Sequence, residues 1–104
     1  MLTVAEALEN SARRHRDKVA LVFGDQTLTY RSLNERANQM ARAFRSLGVE
    51  PGDRVALLLP NGLTMAEAYF GLAKAGVVGV PLNLRWAPAE IAYALHDAEV
   101  SLLL

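Results

Sequence analysis

Hydrophobic and polar positions follow a helical period at the start of this 104-residue chain and a β-strand period soon after. Thr3 and Glu6 can form a capping box for a first helix, whose apolar residues recur at helical spacing. Val19–Phe23 and Thr27–Thr29 are short β-prone runs on either side of Gly24-Asp25, a pair typical of a tight turn. The pattern therefore predicts an N-terminal helix followed by a β-hairpin.

A long helix is predicted next, from Tyr30 to about Leu47, with Gly48 in the position where a glycine usually ends a helix. Its apolar residues form a narrow seam: Leu33, Ala37, Met40, Phe44 and Leu47. One short seam can pair two helices in a dimer, but packing on a sheet is the favoured interpretation.

From Arg54 onward, apolar runs alternate with helical stretches. The core of Arg54–Leu59 is continuously apolar, as in a strand buried on both faces of a parallel sheet. Val77–Val80 is predicted to be a short apolar strand that Pro81 stops, and a third strand is expected from Val100. The β-α-β-α-β order predicts an α/β fold with a mainly parallel sheet, right-handed crossovers and flanking helices.

Two helices are expected between these strands. The first would be capped by Thr64 or Asn61 and would end at Gly76. Its buried face is expected to contain Met65, Ala68, Tyr69, Leu72 and either Ala73 or Ala75. The second would begin at Pro88 and end near Asp97.

Composition excludes several classes of function. Hydrophobic residues make up 52% of the chain, which indicates a globular protein, and eleven basic residues balance eleven acidic ones, so nucleic acid is not an expected partner. Cysteine is absent, which excludes disulfides, thiolate zinc sites and a cysteine nucleophile. No signal-like N-terminus and no membrane-spanning apolar run are evident, so we expect a cytoplasmic protein without a transmembrane segment.

The first helix ends in the basic cluster Arg13-Arg14-His15-Arg16. Positive charge suits the C-terminal dipole of a helix, and this is the simpler interpretation. An anionic surface or a phosphate is the functional alternative.

The loop after the first parallel strand, Pro60–Leu63, lacks the glycine patterns of dinucleotide and P-loop sites. His15 and His96 are far apart in sequence, and the pair Asp97 and Glu99 is interpreted as solvated. From residue chemistry alone, the chain is predicted to contain no catalytic residue and no metal ligand.

Arg85 is the one polar residue that stands out. It follows Val77–Val80 in the loop beside Trp86, where an arginine can fork onto a phosphate or carboxylate. The alternative is a structural role, in which Arg85 stacks on Trp86 or pairs with Glu90.

The chain closes on the apolar run 100–104, VSLLL, which has no polar cap. This strand could occupy a central position in a sheet. We favour truncation from a longer protein, because natural proteins usually protect such an edge.

Three segments together resemble the AMP-binding, adenylate-forming superfamily. Leu28–Leu33 is similar to the family's LTYxEL segment, Gly48–Ala56 to its GVxxGDRVA turn and strand, and Leu72–Asn83 to its block ending in AGAVxVPLN. The resemblance covers the whole chain in order, and the PLNxR pattern before a Pro-Glu helix is most typical of fatty-acid and other acyl-CoA synthetases.

The resemblance implies that residues 1–104 form an N-terminal fragment of the large AMP-binding domain. The parent enzyme would convert a carboxylic acid, ATP and CoA, with Mg²⁺, to acyl-CoA, AMP and pyrophosphate through an acyl-adenylate. Arg85 matches an arginine that lies near the CoA phosphates in some relatives. Leu84 stands where proline is common and could loosen that loop, whereas Ala87 replaces a common Ser or Thr helix cap.

Two hypotheses follow. In the first, the chain is a structural segment that is inactive by itself, binds no cofactor alone and has the remainder of the parent as its partner. The family's phosphate loop, adenine and ribose motifs and C-terminal lysine would all lie downstream. In the second, the chain is a stand-alone α/β module without catalytic activity that forms a homo-oligomer through its exposed C-terminal strand.

Overall fold

The computed structural model describes residues 3–60, 62–100 and 102–103. Within them, helices and strands follow one another in the predicted order. The elements are α1 (Val4–Arg14), β1 (Val19–Phe23), β2 (Gln26–Thr29), α2 (Tyr30–Ser46), β3 (Arg54–Leu57), α3 (Leu63–Ala75), β4 (Val78–Pro81), α4 (Pro88–Asp97) and β5 (Leu102–Leu103).

Threonine side chains begin the first two helices. Thr3 Oγ1 accepts a hydrogen bond from the Glu6 amide at 3.1 Å, and Thr29 Oγ1 accepts one from the Ser32 amide at 3.1 Å. Each bond satisfies an amide that has no partner inside the helix. Between the helices, β1 and β2 form the predicted antiparallel hairpin.

The parallel sheet has the order β4-β3-β5, with β3 in the centre. Val55 pairs with Gly79 on one side and with Leu102 on the other. Val55 and Ala56 point to opposite faces and are both 0% exposed, so β3 is buried on both faces as its apolar sequence predicted. The α/β fold with a parallel sheet and flanking helices is therefore confirmed.

The main core lies between the sheet and the helices α2 and α3. Its buried members are Ala41, Phe44, Val49, Val55, Leu57, Ala68, Leu72, Ala75 and Val77. A second cluster joins α1 and the hairpin to α2 and contains Leu8, Leu28, Leu33 and Ala37.

Helices α2 and α3 approach closely at Gly71. A Cβ atom added at this glycine would lie 2.5 Å from Met40 Cβ and 3.3 Å from the Ala37 carbonyl oxygen. At Gly76 the chain leaves α3 with φ 73°, a left-handed conformation that suits glycine, so the predicted helix end is confirmed.

Some predicted packing positions were wrong. Leu47 is 66% exposed because α2 ends at Ser46. Ala41 was not predicted to be buried, but it belongs to the buried face of α2. Tyr69 is 50% exposed because the buried side of α3 is centred on Gly71 and Leu72.

Two boundaries also differ from the prediction. The cap of α3 is Gly62, without a side-chain hydrogen bond, and Thr64 lies inside the helix. The alternative cap Asn61 lies outside the described residues. β3 ends at Leu57 and not at Leu59.

Pro81 is the last residue of β4 and does not stop the strand before it. The Val78 amide donates to the Asp53 carbonyl, just before β3, at 2.8 Å. The Leu82 amide donates to the Leu57 carbonyl, at the end of β3, at 2.9 Å. Alternate amides therefore point to β3, and the Pro81 nitrogen points to the open edge. A proline is tolerated at this position because no ladder donor is lost.

Candidate functional site

The loop between β4 and α4 carries Arg85 at the carboxyl edge of the parallel sheet. The Leu82 amide donates to the Leu57 carbonyl at 2.9 Å, which ties the start of the loop to the end of β3. Asn83 then organises the turn, because its Oδ1 accepts from the Arg85 amide at 2.9 Å and its carbonyl accepts from the Trp86 amide at 3.1 Å. This Asx-type turn holds the backbone of Arg85 in a defined position.

The Arg85 side chain is exposed, and within the described residues neither a hydrogen bond nor an ion pair engages its guanidinium. The predicted rival partner Glu90 is used elsewhere, because its Oε1 accepts from the Ala87 amide at 3.1 Å and caps α4. Arg85 is thus a free guanidinium at the sheet edge where α/β proteins bind ligands.

An apolar groove adjoins Arg85 between β4 and α4. It encloses about 620 Å³ and is lined by Val80, Pro81, Leu82, Trp86, Ala89, Glu90, Tyr93, Ala94, Asp97 and Ala98. Its two carboxylates would repel an anion inside the groove. The groove itself therefore suits an apolar group.

The groove was not predicted from the sequence. Ile91, Ala94 and Leu95 form the half-buried face of α4, but no described residue of this helix is fully buried. The overlooked signal was a pair of large aromatic residues, Trp86 and Tyr93, on either side of the predicted helix start.

Among residues 3–60, 62–100 and 102–103, no three His, Asp or Glu side chains are grouped as metal ligands. Asp97 and Glu99 are exposed, and Glu99 lies 4.0 Å from Arg54. No helix in the described chain has the length and apolarity needed to cross a membrane.

Comparison with known families gives the class of protein. The model of the AMP-binding enzyme family matches residues 8–104. The chain therefore belongs to the AMP-binding enzyme family, and its fold is that of the N-terminal domains of adenylate-forming enzymes.

Individual relatives come from two functional groups. The chain is 39% identical over 104 residues to gramicidin S synthase 2 of Aneurinibacillus migulanus, covering 100% of this chain and 2% of that protein. A fatty acyl CoA synthetase of Mycobacterium tuberculosis is 34% identical with a TM-score of 0.92, covering 97% of this chain and 20% of the other.

A third relative is an artificially fused adenylation-PCP di-domain NRPS from Klebsiella oxytoca, NpsA-ThdA, which is 28% identical with a TM-score of 0.93. The match covers 97% of this chain and 19% of the fused protein. The chain thus spans only a small part of each protein that it matches. The family prediction is confirmed, but a special likeness to fatty-acid CoA synthetases is not singled out by these relatives.

Proposed function

We propose that this chain is a structural segment of a longer enzyme that activates a carboxylic acid as an acyl-adenylate, and that the chain does not catalyse this reaction alone. The observation that supports the proposal is how little of a relative this chain covers. The match to the fatty acyl CoA synthetase includes 97% of this chain but only 20% of the synthetase. The remainder of the enzyme is its proposed partner, and its cytoplasmic location stays a prediction.

The proposed reaction consumes a carboxylic acid and ATP and releases pyrophosphate. The acyl group then passes from AMP to the thiol of CoA, which yields acyl-CoA. ATP and Mg²⁺ are assigned to residues of the longer enzyme, where the family resemblance implies the phosphate loop. The core of α2, α3 and β3 supports the site without touching the reactants.

Arg85 is the residue of this chain that we assign to CoA. Its guanidinium is exposed and free, its backbone is fixed by Asn83, and a planar fork of donors fits phosphate oxygens. Arg85 would bind and orient the nucleotide end of CoA and would take no part in the formation of the adenylate.

The two half-reactions of the full-length enzyme test this role separately. Arg85→Ala is expected to raise the KM for CoA about five- to tenfold, as for loss of a hydrogen bond worth roughly 1 kcal/mol, and to leave adenylate formation unchanged. Arg85→Lys should recover only part of the effect, because a point charge replaces a fork. An unchanged KM for CoA in Arg85→Ala would remove this residue from the site.

A second candidate is an adenylation unit of a multi-part synthase. The 39% identity to gramicidin S synthase 2, beside the 34% identity to the fatty acyl CoA synthetase, supports this candidate. In this case the activated acid would pass to a carrier protein and Arg85 would not meet CoA. Acid-dependent ATP–pyrophosphate exchange by the longer enzyme, with fatty acids and amino acids compared side by side, distinguishes the two candidates.

A third possibility is the stand-alone module without catalytic activity, which would associate through its C-terminal strand. Sedimentation of the 104-residue chain over a range of concentrations tests it. A folded monomer at all concentrations would contradict self-association through this edge.

A further inference from the structure

Four exposed cations cluster where α1 meets the hairpin. We name Arg13, Arg14, Arg16 and Lys18 the basic surface, and they fall within six consecutive positions of a chain whose net charge is zero. Residues 13–18 line a depression of about 430 Å³. The cations thus border one shallow, open depression.

Carboxylates beside the basic surface are engaged by other cations. Asp17 pairs with Arg31 of α2, and Glu9 accepts a hydrogen bond from Lys74 Nζ at 3.0 Å. Within the described residues, no carboxylate forms an ion pair with any member of the basic surface. Arg13 donates a hydrogen bond to the neutral side chain of Asn10, so the basic surface carries a net positive charge even with Asp17 beside it.

The dipole of α1 accounts for only part of this charge. Arg13 and Arg14 lie in the last turn of α1, where positive charge is favoured. Arg16 and Lys18 lie beyond the helix end at His15, and the dipole effect falls off within the last turn. A second reason is needed for these two residues.

The turn that carries Arg16 and Lys18 is held by its backbone. The carbonyl oxygens of Arg16 and Lys18 accept hydrogen bonds from the Arg31 and Tyr30 amides at 3.1 and 3.0 Å, and the Lys18 amide donates to His15 at 3.0 Å. Only side chains would have to be ordered when a ligand binds, which lowers the entropic cost of binding.

The surroundings define the chemistry of the ligand. No apolar side chain lies in residues 13–18, so the surface offers no anchor for a lipid bilayer. An adjoining depression contains Glu9 and Glu35, which would repel a polyanion that extends along α1 and α2. Arginine is the residue best suited to phosphate oxygens.

We propose that the basic surface binds a compact phosphoryl group, either a phosphate monoester or a diphosphate. The site is separate from Arg85 and does not depend on adenylate formation. Its ligand is expected to bind weakly, because the cations are exposed and the attraction is screened by salt.

Backbone amide chemical shifts of the 104-residue chain, titrated with inorganic pyrophosphate and in parallel with inorganic phosphate, test the proposal. Saturable shifts confined to residues 13–18 and the start of α2 are expected, and they should weaken as sodium chloride is added. If pyrophosphate binds more tightly than phosphate, the ligand of the basic surface is a diphosphate. If the two bind equally, the surface recognises a single phosphoryl group. Shifts spread over the chain, or no saturation, would overturn the site.

Matched variants sharpen the test. Arg16→Ala and Lys18→Ala should each weaken pyrophosphate binding about two- to fivefold, whereas Asp17→Asn should strengthen it by a similar factor because it removes a negative charge. Arg42→Ala, an exposed substitution elsewhere on α2, should leave the affinity unchanged. An equal loss in Arg42→Ala, or displacement of pyrophosphate by a much tighter single-stranded oligonucleotide, would contradict a compact phosphate site.

Discussion

The two sides of the parallel sheet differ sharply in how well they are packed. On the side of α2 and α3, Phe44 is 2% and Leu72 is 1% exposed. On the side of α4, Tyr93 is 71% exposed, and no described residue of that helix is fully buried. The chain's stability therefore resides in the first region, while the second presents the groove and Arg85 to other parts of the proposed enzyme.

The largest expected effect is in the packed region. Phe44→Ala should lower the free energy of unfolding by about 3–5 kcal/mol, because it leaves a cavity among fully buried neighbours. Urea denaturation followed by circular dichroism measures this loss. Tyr93→Ala, the matched aromatic truncation in α4, should change it by less than about 0.5 kcal/mol. Similar losses of unfolding free energy in the two variants would contradict the difference in packing between the two sides.

Gly71→Ala tests the close approach of α2 and α3. Helix propensity alone would make alanine more favourable by about 1 kcal/mol. The added Cβ would lie 2.5 Å from Met40 Cβ, so we expect a net loss of about 1–3 kcal/mol. Thr64→Ala, an exposed position in the same helix, serves as the control and should raise stability slightly. A stabilising Gly71→Ala would show that the helices can separate without loss.

Arg54 connects the two regions through a hydrogen bond, which a substitution can remove. Its Nη1 donates to the Ala98 carbonyl at 2.7 Å, just beyond the end of α4. Because Arg54 is about half exposed, Arg54→Ala should cost only up to about 1 kcal/mol. In Arg54→Ala, hydrogen exchange of backbone amides should accelerate more in α4 than in α3. An equal acceleration in both helices would contradict a local effect of this hydrogen bond.

The smallest effect is expected at Arg85. Arg85→Ala should change the free energy of unfolding of the 104-residue chain by less than about 0.5 kcal/mol, because the fixed turn uses its backbone amide and not its guanidinium. A larger loss would indicate a structural role and would weaken its assignment to CoA.

The order of elements could be predicted from the sequence because the apolar periods and turn residues are local signals. Gly76 as a helix end and the doubly buried β3 are examples. Tyr69 was assigned wrongly because the side of a helix that is buried depends on its neighbours, here on the close approach of Gly71 to Met40. Such contacts join distant parts of the chain and leave no periodic signal.

For the candidate site, the sequence indicated Arg85 and its loop but not the groove beside it. The groove forms because α4 lies against β4 without burying any described residue, and this depends on tertiary packing. The sequence also left two partners open for Glu90, and the structure pairs it with the Ala87 amide, three residues away.

The central claim is that this chain is a non-catalytic part of an adenylate-forming enzyme. Carboxylic-acid-dependent ATP–pyrophosphate exchange, measured on the folded 104-residue chain and on a longer polypeptide that includes it, tests the claim most directly. We predict exchange by the longer polypeptide and none above the enzyme-free blank for the chain alone. Acid-dependent exchange by the chain itself would contradict the account.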